Sequence, residues 1–137
     1  MAPAVAIVAA LLAACGAGQG APGTSDAPRT IEIAMTDQLR FDPDRVTVAD
    51  GETIRFVVTN PTAIDHEFVI GDEHEQAEHG DEMMANGMMH DEANAIAVAP
   101  GETEELVYTF TEAGDFLMGC HVDGHYEVGM VGHIVVE

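Results

Sequence analysis

From residue 30 onward the chain is a succession of short apolar segments of period two, each closed by a turn signal. That pattern points to a β-sandwich. Residues 30–35 alternate polar and apolar side chains, and 45–48 and 53–58 are dense in β-branched ones. Residues 66–70, 95–98, 105–110, 115–118 and 131–136 continue the series. Asp50-Gly51 stands between the second and third segments as a hairpin signal, and Asn60-Pro61 and Pro100-Gly101 mark further turns. Seven or eight strands with no core helix predict an all-β domain over residues 30–137. A chain of 137 residues has room for one real core.

The first 29 residues obey a different rule. Residues 3–14 are almost wholly Pro, Ala, Val, Ile and Leu and end Leu12-Ala13-Ala14-Cys15. So short an apolar run suits the core of a signal peptide over residues 1–14 rather than a membrane span. The Leu-Ala-Ala-Cys ending resembles a bacterial lipobox, which implies lipid attachment at Cys15; a plain secretory signal or an uncleaved anchor are the alternatives. Residues 15–29 read as a flexible tether. With Cys15 so used, Cys120 is a lone thiol in an exported protein, which marks it as reactive or metal-bound.

Cys120 opens the stretch that carries the chemistry. Cys120, His125 and Met130 follow one another at intervals of five, with Gly124 and Gly129 just before the last two. A thiolate, an imidazole and a thioether on one loop suit a soft, redox-active ion, above all copper. Zinc accepts Cys and His, but a thioether adds little to a zinc site. The glycines allow the turns that bend such a loop around one ion. His66, at the start of a middle segment, is the further ligand that antiparallel pairing would bring beside Cys120. Two imidazoles, a thiolate and a weak axial thioether form the ligand set of a blue-copper electron-transfer site. Taken singly, a buried Cys is usually core packing and a Met near a strand usually fills a gap. The ordered combination makes that reading improbable. His133 reads as structural or surface, and Met35 and Met118 as ordinary strand residues.

At these residues the chain resembles the cupredoxins, the small blue copper proteins of the plastocyanin, pseudoazurin and azurin group, and within them the bacterial lipoprotein type. The resemblance covers roughly residues 30–137 apart from an insert. It rests on Asn60 through Ile70 and on Cys120 through Met130-Val131-Gly132. It implies an eight-stranded Greek-key sandwich, imidazole ligands His66 and His125, the thiolate of Cys120 and axial Met130. Two departures stand out. Members often carry Asn or Ser after the first histidine, tying the two ligand loops together, and here Glu67 occupies that place. Either another residue ties the loops or the site is looser. His121 directly follows Cys120 and in an extended strand would point away from its copper. Multicopper oxidases place a His on each side of that cysteine, but Gly119 precedes it here.

The insert, residues 72–93, holds four of the eight methionines, three of the seven histidines and eight acidic residues. With almost no β-branched residue it cannot continue a sheet, and it reads as a mobile loop with short helical turns interrupted at Gly80 and Gly87. His74, His79, Met83, Met84, Met88, Met89 and His90 are candidates for additional, weakly and fluxionally bound copper. The alternative is a solvated acidic loop whose methionines cap the sandwich.

Four Lys plus Arg against 25 Asp plus Glu, formally −21, exclude nucleic acid and anionic membrane as direct partners. Such a surface would steer a redox partner with a basic face, an effect that salt weakens. The expected function is a non-enzymatic electron carrier with one type 1 copper, monomeric and outside the cytoplasm. Lipid alone would hold it to the membrane, on the periplasmic or outer face. The alternative is a copper storage, delivery or resistance module that uses the insert and exchanges metal with a copper donor or acceptor.

Overall fold

The structure is a computed structural model that describes residues 20–87 and 91–137. Cys15, the signal-peptide segment, Met88, Met89 and His90 lie outside the described residues. Among the described residues nine strands form two packed sheets. The first sheet orders β2 (Phe41–Asp42), β1 (Arg29–Met35), β4 (Thr53–Thr59) and β7 (Thr103–Thr109). The second orders β3 (Arg45–Val48), β9 (Val131–Val136), β8 (Gly114–Gly119), β5 (His66–Gly71) and β6 (Ala95–Val98). All eight segments read from periodicity are strands; β2, of only two residues, is the addition. The fold is the expected all-β sandwich, with a helix, α1 (Glu73–Asn86), on one side.

The Asp50-Gly51 signal does not make a hairpin. β3 runs parallel to β9, whereas β4 pairs with β1 and β7, so this turn carries the chain from one sheet to the other. Its amides bond outward to do so: Asp50 N–H to the Glu137 carbonyl and Gly51 N–H to that of Phe110. A tight turn specifies a reversal of direction, not which sheet edge receives the next strand.

Between the sheets lies one apolar core. Phe68 meets Phe41 edge-on at 5.7 Å and Phe56 at 5.3 Å, and Phe56 meets Phe110 at 6.4 Å. Ile33, Met35, Ile54, Val58, Met118 and Ile134 fill the space around them, as expected for Met35 and Met118. β5 departs from alternation, because all six of its residues are buried. Phe68 and Ile70 face the core, while α1 covers the other face. A strand buried on both sides has no exposed row to reveal its period.

Contacts with the sandwich also reach back into the segment read as a tether. The buried carboxylate of Glu52 accepts from Gly23 N–H (2.7 Å), Ala49 N–H (2.8 Å), and Arg29 Nε (2.7 Å) and Nη2 (2.9 Å). The Arg29 guanidinium holds this carboxyl far below its ordinary value of 4.5, at about 2, against the opposing effect of burial. A carboxyl depressed in the folded state stabilises above its unfolded pKa. This contribution is therefore complete above about pH 4.5 and is lost as pH falls toward 2. Glu52→Ala is expected to cost about 2–4 kcal/mol in urea unfolding at pH 7, because it leaves buried donors without an acceptor. The difference from the parent should shrink steadily below pH 4.5; a gap independent of pH would refute the account.

Candidate metal centre

The site lies where β5 begins and β8 ends. These strands pair antiparallel, with Val69 opposite Gly119 and Gly71 opposite Leu117, so continuing the register sets Glu67 beside His121. Cys120 follows β8 by one residue and Met130 precedes β9 by one, so the loop between them leaves and re-enters a single sheet. Cys120 N–H donates to the Met130 carbonyl (3.2 Å) and Met130 N–H to that of His125 (2.9 Å). Inside the loop His125 N–H reaches the Val122 carbonyl (2.8 Å) and Gly129 N–H that of Tyr126 (3.0 Å). Gly124 and Gly129 take φ of +79° and +102°, left-handed turns that a side chain would resist.

This frame brings His66, Cys120 and His125 together, their ligand atoms all within 4.8 Å of one another. Cys120 Sγ lies 3.7 Å from His66 Nδ1 and 3.5 Å from His125 Nδ1. One ion bonded to a thiolate at about 2.3 Å and to imidazoles at about 2.0 Å, at angles between tetrahedral and trigonal, would hold sulfur and nitrogen roughly 3.5–3.7 Å apart. The donor set therefore fits a single soft metal ion. Met130 is fully buried in the core beside this cluster's loop.

The His66 ring is held in the form a metal needs, whereas Cys120 is not. Thr62 Oγ1 donates to Asn60 Oδ1 (2.7 Å), so at 3.1 Å it accepts from His66 Nε2–H. That bond puts the ring proton on Nε2 and leaves Nδ1 free to ligate. Burial, and then the nearby His125, push the His66 pKa down, so the ring is neutral at pH 7. Asn60 is itself fully buried: its Nδ2 donates to the carbonyls of Ile64 (2.8 Å) and Val98 (2.9 Å), and its Oδ1 also accepts from Thr62 N–H (3.0 Å). Burial pushes the Cys120 thiol up to about 11, so metal binding must displace its proton.

Glu67 resolves the question its position raised, because it ties the ligand segments itself. Its backbone N–H donates to Cys120 Sγ (3.4 Å), and its carboxylate accepts from His121 N–H (2.8 Å). The ring of His121 turns away from the donor cluster: its Nε2–H donates to Gln76 Oε1 (2.8 Å) and it stacks on Tyr126 at 4.4 Å.

The insert is partly helical and broken at Gly87, as expected, but the expected interruption at Gly80 is corrected. Its residues Glu73–Asn86 form one continuous helix through Gly80, capped by Asp72, whose carboxylate accepts from His74 N–H and Glu75 N–H. The Glu75 carboxylate bonds back to Asp72 N–H, and Gly87 closes the other end at φ +61°. His79 is buried, with its Nε2 committed to Glu67 (3.2 Å). His74 is exposed beside Glu78 (3.4 Å). Met83 and Met84 line a cavity of about 420 Å³ between α1 and the ligand loop, opposite His121. His133 is exposed on β9, in keeping with a surface role.

Comparison with known proteins gives concordant results. The family model for copper binding proteins of the plastocyanin/azurin family matches residues 29–137. The copper-resistant cuproprotein CopI of Rubrivivax gelatinosus is 45% identical over 120 residues, covering 86% of this chain and 73% of that protein. Auracyanin-A of Chloroflexus aurantiacus is 34% identical over 148 residues, covering 95% of this chain and 91% of that protein. Among solved structures, the dithionite-reduced auracyanin of Roseiflexus castenholzii superposes with a TM-score of 0.70 at 32% identity, covering 84% of this chain and 99% of that one.

Proposed function

Because this chain belongs to the plastocyanin/azurin family of copper-binding proteins, we propose that it is an extracytoplasmic carrier of single electrons with one type 1 copper. The observation that carries this reading is the convergence of His66 Nδ1, His125 Nδ1 and Cys120 Sγ in a buried, hydrogen-bonded frame. In this reading Met130 would supply a weak thioether ligand beside these three. Copper bound there supplies a one-electron couple between Cu(I) and Cu(II). The protein's part is to keep the donors still. Thr62 and Asn60 fix the His66 ring, Glu67 N–H and the Met130 carbonyl fix Cys120, and the loop fixes His125. Little ligand movement means little reorganisation on electron transfer. His66 is fully buried, whereas His125 keeps 8% of its surface exposed. The His125 edge is accordingly the proposed route for the electron. The partner would be a redox protein with a basic face, matching the acidic surface, and the anchor would be lipid on Cys15. Cu(II) titration of the metal-free protein tests the reading. A strong thiolate-to-copper band saturating at one equivalent is expected, and no such band would remove the type 1 assignment.

A second reading is favoured by the cavity beside the loop. Its thioethers, Met83 and Met84, together with His121, suit Cu(I), and Asp65, Asp123 and Glu127 add negative charge at its rim. A copper-handling role would agree with the resistance named for CopI. It requires more than one copper per chain. Met83→Leu/Met84→Leu should then lower Cu(I) stoichiometry toward one without touching the thiolate band; unchanged stoichiometry would count against it.

A further inference from the structure

We infer that Gln76 and His79, on the helical insert, are positioning residues of the copper centre, acting through His121 and Glu67 on the segments that present Cys120 and His66. This rests on the reading of that centre as a copper site.

The two residues are the buried polar side chains of α1, 1% and 7% exposed, on an element otherwise charged and solvated. Gln76 spans β5, which begins with His66, and β8, which leads into Cys120. Its Nε2 donates to the carbonyls of Val69 in β5 (2.9 Å) and Leu117 in β8 (3.3 Å), and its Oε1 accepts from His121 Nε2–H. His121 stacks on Tyr126 with its ring plane only 12° away, and Tyr126 adjoins His125. One amide therefore connects the strand before His125's loop to a ring inside that loop. His79 Nε2–H donates to both oxygens of Glu67 at 3.2 Å, and Glu67 is only 2% exposed. Its carboxylate and its amide act on opposite sides: the first holds His121 N–H, the second Cys120 Sγ.

The helix is shaped for this contact. Gly80, unfavourable in a helix interior by roughly 1 kcal/mol, is where His121 approaches: a Cβ there would lie 2.9 Å from Nδ1. At Gly119 a Cβ would meet the Tyr126 ring at 2.9 Å. Both glycines give room to the same stack of rings.

Electrostatics sets the direction of the effect. Glu67 places a carboxylate beside the thiolate ligand, and the N–H of His79 offsets part of that charge. Without the His79 donor the charge acts more fully at the centre and favours Cu(II) over Cu(I). The reduction potential should then fall.

The test uses the full copper-loaded chain with His79→Gln, whose amide reaches the carboxylate, and His79→Asn, which is too short, alongside Gln76→Ala. The exposed His74→Ala serves as a control on the same helix. His79→Asn is expected to shift the Cu(II)/Cu(I) affinity ratio about tenfold, a fall of about 59 mV for a one-electron couple, and His79→Gln to restore most of it. Gln76→Ala should change the intensity and position of the thiolate band. In the metal-free protein it should speed alkylation of Cys120 several-fold. His74→Ala should change none of these. The parent's band reports on the copper reading independently. If that band is present while all three variants match the parent in potential, spectrum and alkylation, the helix is only a cover and the inference is wrong. Should Gln76→Ala not fold, the comparison of His79→Gln with His79→Asn decides.

Discussion

Cys120→Ser is expected to abolish the thiolate-to-copper absorption completely and to weaken Cu(II) binding beyond the roughly 10–100-fold that loss of an outer-shell partner costs. The sulfur is the one soft anionic donor among the three that converge, and a serine hydroxyl stays protonated where the thiol can be displaced to a thiolate. The fold should survive. The replacement is smaller by little, and its oxygen can still accept from Glu67 N–H, as Sγ does at 3.4 Å. Titration with Cu(II) followed by absorption and circular dichroism separates the two effects. A band retained in a folded variant would move the site away from Cys120.

Asn60→Ala is expected to cost about 3–5 kcal/mol, the range reached when a buried hydrogen-bond network is broken. Four groups lose a partner at once: Thr62 N–H, Thr62 Oγ1 and the carbonyls of Ile64 and Val98. The same change frees the Thr62 hydroxyl to turn. His66 Nε2 then loses the acceptor that fixes its tautomer, so copper affinity should fall along with stability. Equilibrium unfolding of the metal-free protein measures the first effect and competitive chelation the second. Stability close to the parent's would mean that water replaces the side chain without penalty.

Asn60 also illustrates what the sequence discloses. Before a proline it reads as a turn residue, and it is one, but nothing local says that its side chain reaches Val98 across 38 positions. The strands were legible because half-exposed sheets alternate. The ligands were legible because Cys120, His125 and Met130 share one loop. The insert was not, because its buried positions are Gln76 and His79, so no apolar stripe marks a helix. Its ends did carry a signal: Asp72 followed three residues later by Glu75, and Gly87 at the far side, spell a capping box and a left-handed stop. Glu67 read as a departure that left open whether another residue ties the ligand loops or the site is looser. Its contacts with His79 and His121 are long-range, so only the assembled sheet displays them.

The pairing of β5 with β8 has a consequence for how long a metal would stay. His66 and Cys120 are 54 residues apart and meet only because those strands are zipped, under a helix on one face and the aromatic core on the other. Parting them would mean opening the middle of a sheet, a fluctuation close in free energy to unfolding the whole domain. Release of a metal would therefore cost less at the loop from Cys120 to Met130, latched at its base by Cys120 N–H and Met130 N–H. A protein that hands copper on must lift that latch; one that only passes electrons never needs to.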